Sequence, residues 1–158
     1  MDQHSTEQTG IKDAVYMELP TFPTNGGRVL RMLRPDSPMW PNFPAGLGEV
    51  YFSLVEPQIV RAWKLHTRQT GLFAVPMGLV KFVLYDARAA SPTLGVIASL
   101  ELGLPDNFRL LRIPNGVWYG FKCLSASAAL ICNCADMPHD PEEAQTLPPD
   151  DIKVPFKW

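Results

Sequence analysis

The chain has 158 residues, enough for one domain with a real hydrophobic core. Apolar residues make up 46% and charged ones 19%, and the net charge of −2 leaves no basic footprint for nucleic acid. No apolar run reaches the roughly 18 residues that a membrane-crossing helix needs.

The N-terminal segment, 1–20, opens on "MDQHSTEQTGIKD", which is polar and lacks the apolar stretch of a secretion signal. A cytoplasmic location is expected. Sixteen prolines and 11 glycines fall mostly between short apolar runs, a punctuation that favours strands and turns over long helices. In chain order, "RVLRMLR" (28–34) reads as an early strand. Strands rich in β-branched and aromatic residues follow at 49–55 and 58–66. The next pair, 72–78 and 79–88, meets at a turn on Gly78, and the series continues at 95–103, 108–114, 117–125 and 128–136. This rhythm suits an antiparallel sandwich or barrel. A barrel over about 48–136 is expected within a single domain. The acidic, proline-rich tail, 137–158, carries Phe156 and Trp158 as candidate anchors on the surface or over an opening.

The three cysteines, Cys123, Cys132 and Cys134, are an odd number in a chain without a secretion signal, which argues against a disulfide framework. Cys132 and Cys134 share a face of the last strand, as a metal or redox pair or as two small buried thiols. There is no phosphate-binding loop, no dinucleotide glycine fingerprint and no zinc spacing.

"RAWKLHTRQTG" (61–71) draws the eye because Lys64 and His66 lie two apart, with Gln69 and a glycine beyond. Some cupin barrels hold a metal with two histidines at that spacing, since alternate side chains of a strand converge inside the barrel. A second frame, "PNGVWY" (114–119), occupies the place of the later ligand strand. Lys64, Gln69 and Tyr119 are poor ligands at three of the four places, and a protonated lysine repels a cation. No metal and no other cofactor is expected.

The order "RAWKLHTRQTG", "YDARAASPTLG", "IPNGVWYGF", "PHDPEE" resembles the dTDP-4-dehydrorhamnose 3,5-epimerase family, from about Gly48 onward. The resemblance implies an all-β, cupin-type jelly roll, metal-free and homodimeric. It also implies an epimerase acting on a nucleotide-linked 4-keto-6-deoxy sugar at C3, C5 or both, in deoxysugar or surface polysaccharide biosynthesis. In that family a histidine assisted by an aspartate removes a proton α to the ketone, and a tyrosine across the barrel returns one. Aligned on Arg61, the base position holds Lys64, the tyrosine position holds Cys132, and Tyr119 stands for a second histidine. A non-catalytic module that only binds the sugar nucleotide is the competing reading; a 3,4-ketoisomerase or a metal-dependent oxygenase are others.

His66 needs no pKa shift to act as a base near neutral pH, whereas lysine starts at about 10.4. His66 is therefore expected as base, Lys64 as the cation that stabilises the enolate, and Tyr119 as proton donor. Arg61 is the expected diphosphate ligand, with Arg28 and Arg112 as further candidates, because the guanidinium fork meets phosphate oxygens with two hydrogen bonds. By strict alternation Arg61 points away from Lys64 unless a bulge re-aims it. Gln69, Lys81 and Trp118 complete the expected substrate contacts, although Lys81 suits the barrel or the solvated face equally. Trp63 and Trp118 read as core or pocket wall, and Asp86 with Arg88 as an internal ion pair.

Overall fold

Short apolar runs between glycine and proline turns fold as strands, and no helix occurs among the described residues. The computed structural model describes residues 5–40 and 46–158. The first four residues of the polar N-terminal segment, and 41–45 of a proline-rich run, lie outside the described residues.

Thirteen strands are described: β1 (Glu7–Gln8), β2 (Val15–Glu18), β3 (Thr21–Thr24), β4 (Gly27–Leu30), β5 (Glu49–Val55), β6 (Val60–His66), β7 (Gly71–Met77), β8 (Leu79–Asp86), β9 (Ile97–Gly103), β10 (Arg109–Ile113), β11 (Val117–Cys123), β12 (Ala129–Ala135) and β13 (Ala144–Thr146). The eight strands expected between 49 and 136 all form, most with ends trimmed by one or two residues. They build two facing sheets, a six-stranded one in the order β1-β2-β10-β7-β12-β5 and a five-stranded one in the order β13-β6-β11-β8-β9. All pairings are antiparallel.

Four features depart from the sequence reading. The run 28–34 contributes only its first residues to a strand, in the two-stranded ribbon β3–β4. The polar N-terminal segment supplies β1 and β2, and Val15 and Met17 are buried on the six-stranded sheet. The tail supplies β13, which pairs with β6. The turn at Gly78 also differs in kind: it passes the chain from β7 in one sheet to β8 in the other. Its φ is +83°, and a Cβ there would lie 2.9 Å from the Ala129 backbone, so glycine is required.

Strand alternation sorts the apolar residues into three layers. Phe73 and Val75 of β7 point between the sheets, with Phe82, Leu84, Leu111 and Ile131. Leu72 and Ala74 point outward, beneath Leu19, Leu30, Met32 and Met39, with Cys132 and Cys134 beside them. The two cysteines are thus buried free thiols on the outer side of the sheet. On the far side of the five-stranded sheet, Trp63, Val83 and Trp118 are covered by Val154, Phe156 and Trp158 of the tail. The Trp63 ring lies 5.1 Å from that of Trp158 and 6.1 Å from that of Phe156. Phe156 and Trp158 are therefore the anchors that the tail's composition suggests.

Asp86 closes the end of β8. Its fully buried carboxylate accepts from Arg88 Nε and Nη2 (each 2.9 Å), and from Ser91 Oγ and Thr93 Oγ1 (each 2.6 Å). Arg88 Nη2 also donates to the Lys12 carbonyl, which ties the N-terminal segment to this turn. "YDARAASPTLG" is thus a structural latch, and the expected Asp86–Arg88 ion pair is its centre. Burial works to raise the Asp86 carboxyl, but these donors outweigh it and hold it well below the usual carboxylate range.

A depressed folded-state pKa stabilises above the unfolded value, about 3.9, and the gain fades as pH falls through the folded one. Asp86→Asn should lower the unfolding free energy by about 3 kcal/mol at neutral pH, since it breaks a buried pair. In urea denaturation, the gap between wild type and variant should shrink below about pH 3.9.

Candidate active site

The site is built on β6 and β11. Lys64 pairs with Tyr119 and Arg61 with Phe121, so three residues of β6 span what two of β11 span. One extra residue in a strand reverses side-chain parity beyond it. This bulge turns Arg61 to the side of Lys64, and both line one cavity. Gly120 makes the bulge compatible with the tail: a Cβ there would meet Ala62 Cβ at 2.5 Å and Trp158 Cζ2 at 2.7 Å.

The cavity holds about 500 Å³ between the two sheets. Arg61, Lys64 and Tyr119 face it from the five-stranded sheet, and Tyr51, Phe73 and Asn133 from the six-stranded one. The Arg61 guanidinium lies 5.8 Å from the centre of the Phe121 ring.

Behind Tyr119 stands a buried relay. The Glu143 carboxylate lies 2.5 Å from His66 Nδ1, and His66 Nε2 lies 3.2 Å from the Tyr119 hydroxyl. Glu143 Oε1 accepts the backbone N–H groups of Arg68 and Gln69, each at 2.8 Å. With a carboxylate on Nδ1, the neutral imidazole carries its hydrogen there, and Nε2 accepts from Tyr119. β13 positions the carboxylate: Ala144 pairs with His66, and the Thr67 N–H donates to the Glu143 carbonyl.

Burial shifts each group toward its neutral form. It pushes the His66 imidazole down, against the pull of Glu143, so the ring is neutral and able to accept a proton. It lowers the Lys64 ammonium, which Glu143 partly restores and Arg61 lowers further. It raises the Tyr119 phenol strongly, so that hydroxyl keeps its hydrogen. Burial also works to raise Glu143, but His66 and the two backbone N–H groups outweigh it and hold the carboxylate ionised.

The expected site residues divide accordingly. Lys64, Tyr119 and Arg61 line the cavity. His66 is not among the lining residues: Tyr119 stands between it and the cavity. Gln69 is buried in the loop after β6, where its backbone serves Glu143. Lys81 lies on the outer face, over the Phe156 ring at 5.4 Å. Trp118 is buried under the tail. Arg112 lies half-buried in the six-stranded sheet, and Arg28 is exposed in the β3–β4 ribbon. None of these five reaches the cavity lining. Sequence reasoning missed Glu143, Tyr51 and Asn133. Glu143 lies inside "PHDPEE", which carried the resemblance but gave no local sign of a role. Among the described residues no group of three or more His, Cys, Asp or Glu gathers as a metal site.

Two facing antiparallel sheets around a cavity define a jelly-roll barrel of the cupin type. Residues 8–158 match the family model described as dTDP-4-dehydrorhamnose 3,5-epimerase, and the chain belongs to that family. It is 29% identical over 147 residues to the "Probable low-salt glycan biosynthesis epimerase Agl13" of Haloferax volcanii, covering 92% of this chain and 88% of that protein. It is 32% identical over 113 residues to the "Spore coat polysaccharide biosynthesis protein SpsL" of Bacillus subtilis, covering 70% of this chain and 74% of that one. A crystal structure of a dTDP sugar isomerase from Desulfovibrio desulfuricans superposes with a TM-score of 0.90 at 48% identity, covering 94% of this chain and 92% of that chain. The Legionella pneumophila epimerase in complex with dTDP-4-keto-L-rhamnose shares the fold, with a TM-score of 0.83 at 21% identity, covering 98% of this chain and 82% of that one.

Glu143 holds up the His66 pKa, so its removal should lower it. In Glu143→Gln, NMR titration of the His66 ring should move to lower pH than in wild type. The same variant should cost about 1–3 kcal/mol of stability, because the two backbone donors lose a charged acceptor.

Proposed function

We propose that this protein is a sugar-nucleotide epimerase that inverts C3, C5 or both in a nucleotide-linked 4-keto-6-deoxy sugar by removing and replacing an α-proton. The observation that carries the reading is the Glu143–His66–Tyr119 relay facing a cavity that also presents Lys64 and Arg61. Family membership and the sugar nucleotide held by the Legionella relative support the substrate class.

The α-proton passes to the Tyr119 oxygen as Tyr119 hands its own hydrogen to His66 Nε2. The imidazolium that forms is paired with Glu143, which lowers the cost of charging a buried ring. The electrons of the broken C–H bond move onto the ketone oxygen, and the Lys64 ammonium stabilises that enolate. Lys64 is thus the fixed cation of the reaction rather than its base. Arg61, at the exposed edge of the same wall, binds the diphosphate.

Two further parts belong to the same reading. Val50, Phe52 and Leu54 expose an apolar stripe on the edge strand β5, 47%, 62% and 63% exposed, which suits a homodimer. A cytoplasmic reaction feeding surface polysaccharide synthesis fits a nucleotide-activated sugar, which is made where nucleoside triphosphates are.

Proton NMR in D₂O with dTDP-4-keto-6-deoxyglucose tests the proposal. Wild type should exchange an α-proton, and His66→Asn should lose at least about 100-fold in exchange rate, the scale of a general base. Tyr119→Phe should lose as much, because it cuts the relay. Lys64→Met should slow exchange and move the acidic limb of the pH–rate profile to slightly higher pH, because the Lys64 charge works to lower the His66 imidazole. Normal exchange in His66→Asn beside a dead Lys64→Met would make Lys64 the base. Substrate binding without exchange in wild type would favour the non-catalytic module. Arg61→Ala should weaken nucleotide-sugar binding about tenfold or more, by loss of a charge-assisted contact.

A further inference from the structure

Inverting a carbon needs a proton taken from one face and another delivered to the opposite face. Tyr119, with His66 behind it, and Lys64 stand on a single wall of the cavity, on β6 and β11. The opposite wall presents one phenol, Tyr51 of β5. Tyr51 pairs directly with Asn133 of β12, and the Asn133 Nδ2 amide donates to the Tyr51 hydroxyl oxygen at 2.5 Å. That bond uses a lone pair of the oxygen, so the phenolic hydrogen remains for a partner in the cavity. The same donor stabilises a phenolate once the hydrogen has left.

Asn133 strengthens the argument by its cost. It is 2% exposed on the inward face beside Ile131, and its Oδ1 is buried without a hydrogen-bond partner. A buried amide left half unsatisfied is expensive in a core strand, and it calls for a reason. Holding Tyr51 is the task its other end performs.

We propose that Tyr51 is the acid that returns a proton to the substrate α-carbon on the face opposite Tyr119, with Asn133 as its positioning residue. This rests on the epimerase reading above. The Tyr51 O–H bond breaks as the new C–H bond forms, the enolate electrons return to that carbon, and the ketone C=O is restored. One turnover leaves an imidazolium at His66 and a phenolate at Tyr51. The first loses a proton to water and the second gains one, so the balance closes without a co-reactant. Burial raises the Tyr51 phenol while the Asn133 amide lowers it, so the hydroxyl is protonated near neutral pH and ready to donate.

The test follows exchange and inversion separately, in D₂O with dTDP-4-keto-6-deoxyglucose. Tyr51→Phe should still place deuterium on the α-carbon, because the relay takes a proton and returns one on its own face. Inverted product should fall at least about 100-fold, the general-acid contribution. Binding of dTDP to the variant, measured by calorimetry, verifies that it is folded. Asn133→Ala should shift the alkaline limb of the inversion profile to higher pH, since it removes the influence that lowers the phenol. Loss of packing alone would leave that limb in place and would overturn the positioning role. Inversion by Tyr51→Phe near the wild-type rate, or joint loss of exchange and inversion with dTDP binding intact, would overturn Tyr51 as the acid. A wild-type protein that neither exchanges nor inverts would instead sink the epimerase reading, and this assignment with it.

Discussion

The Glu143 carboxylate is the interaction on which the rest of the site depends. One oxygen meets His66 Nδ1, and the other collects two successive backbone N–H groups of the loop after β6. A carboxylate so satisfied stays charged although its side chain is only 2% exposed. That charge fixes the imidazole tautomer, which aims Nε2 at Tyr119 and leaves it an acceptor. The phenol inherits both its orientation and its access to a base. Removing the carboxylate would therefore disturb a loop, a tautomer and a hydrogen bond together.

Around that pair the barrel does steric work. The β6 bulge brings Arg61 to the same wall as Lys64, and it is tolerated because Gly120 has no side chain to meet Ala62. Trp158 fills the space on the other side, its ring tilted against that of Trp63. The tail is thus part of the wall of the cavity region rather than an appendage, with Thr146 and Pro149 lining the cavity itself. Latching of Asp86 by Arg88, Ser91 and Thr93 serves the fold, not the chemistry, and explains why a charged motif lies outside the cavity.

Most of the strand frame is legible in the sequence, because glycine and proline turns bound short apolar runs whose ends are sharp. The N-terminal strands were not, since "AVYMEL" is brief and sits in a polar stretch. The site is legible only where spacing carries it. Lys64, Tyr119 and Arg61 are reachable from two motifs, but His66 reads as a direct base because nothing in a linear sequence shows Tyr119 in front of it. Tyr51 is hidden for a different reason. In "EVYFSLV" the apolar alternation of Val50, Phe52 and Leu54 reads as the buried face, yet these are the exposed residues. The polar-looking alternate face, Tyr51 and Ser53, is the one that meets the cavity. Lys81 and Trp118 fail by parity too, and only the tail's position explains what covers them.

β13 is three residues long, lies at the edge of its sheet and is largely open to solvent. Such strands open locally at far less free energy than the sheets they border. Here the residue before the strand holds the carboxylate that organises the site. The Glu143–His66 pair is therefore fastened to the barrel by a short, solvent-facing edge segment. Amide hydrogens at 144–146 should trade with solvent sooner than those of β8 or β12, and each such fluctuation loosens the hydrogen bond between the imidazole and the Glu143 carboxylate. The contact between Glu143 and His66 thus depends on how firmly a single short strand holds to β6.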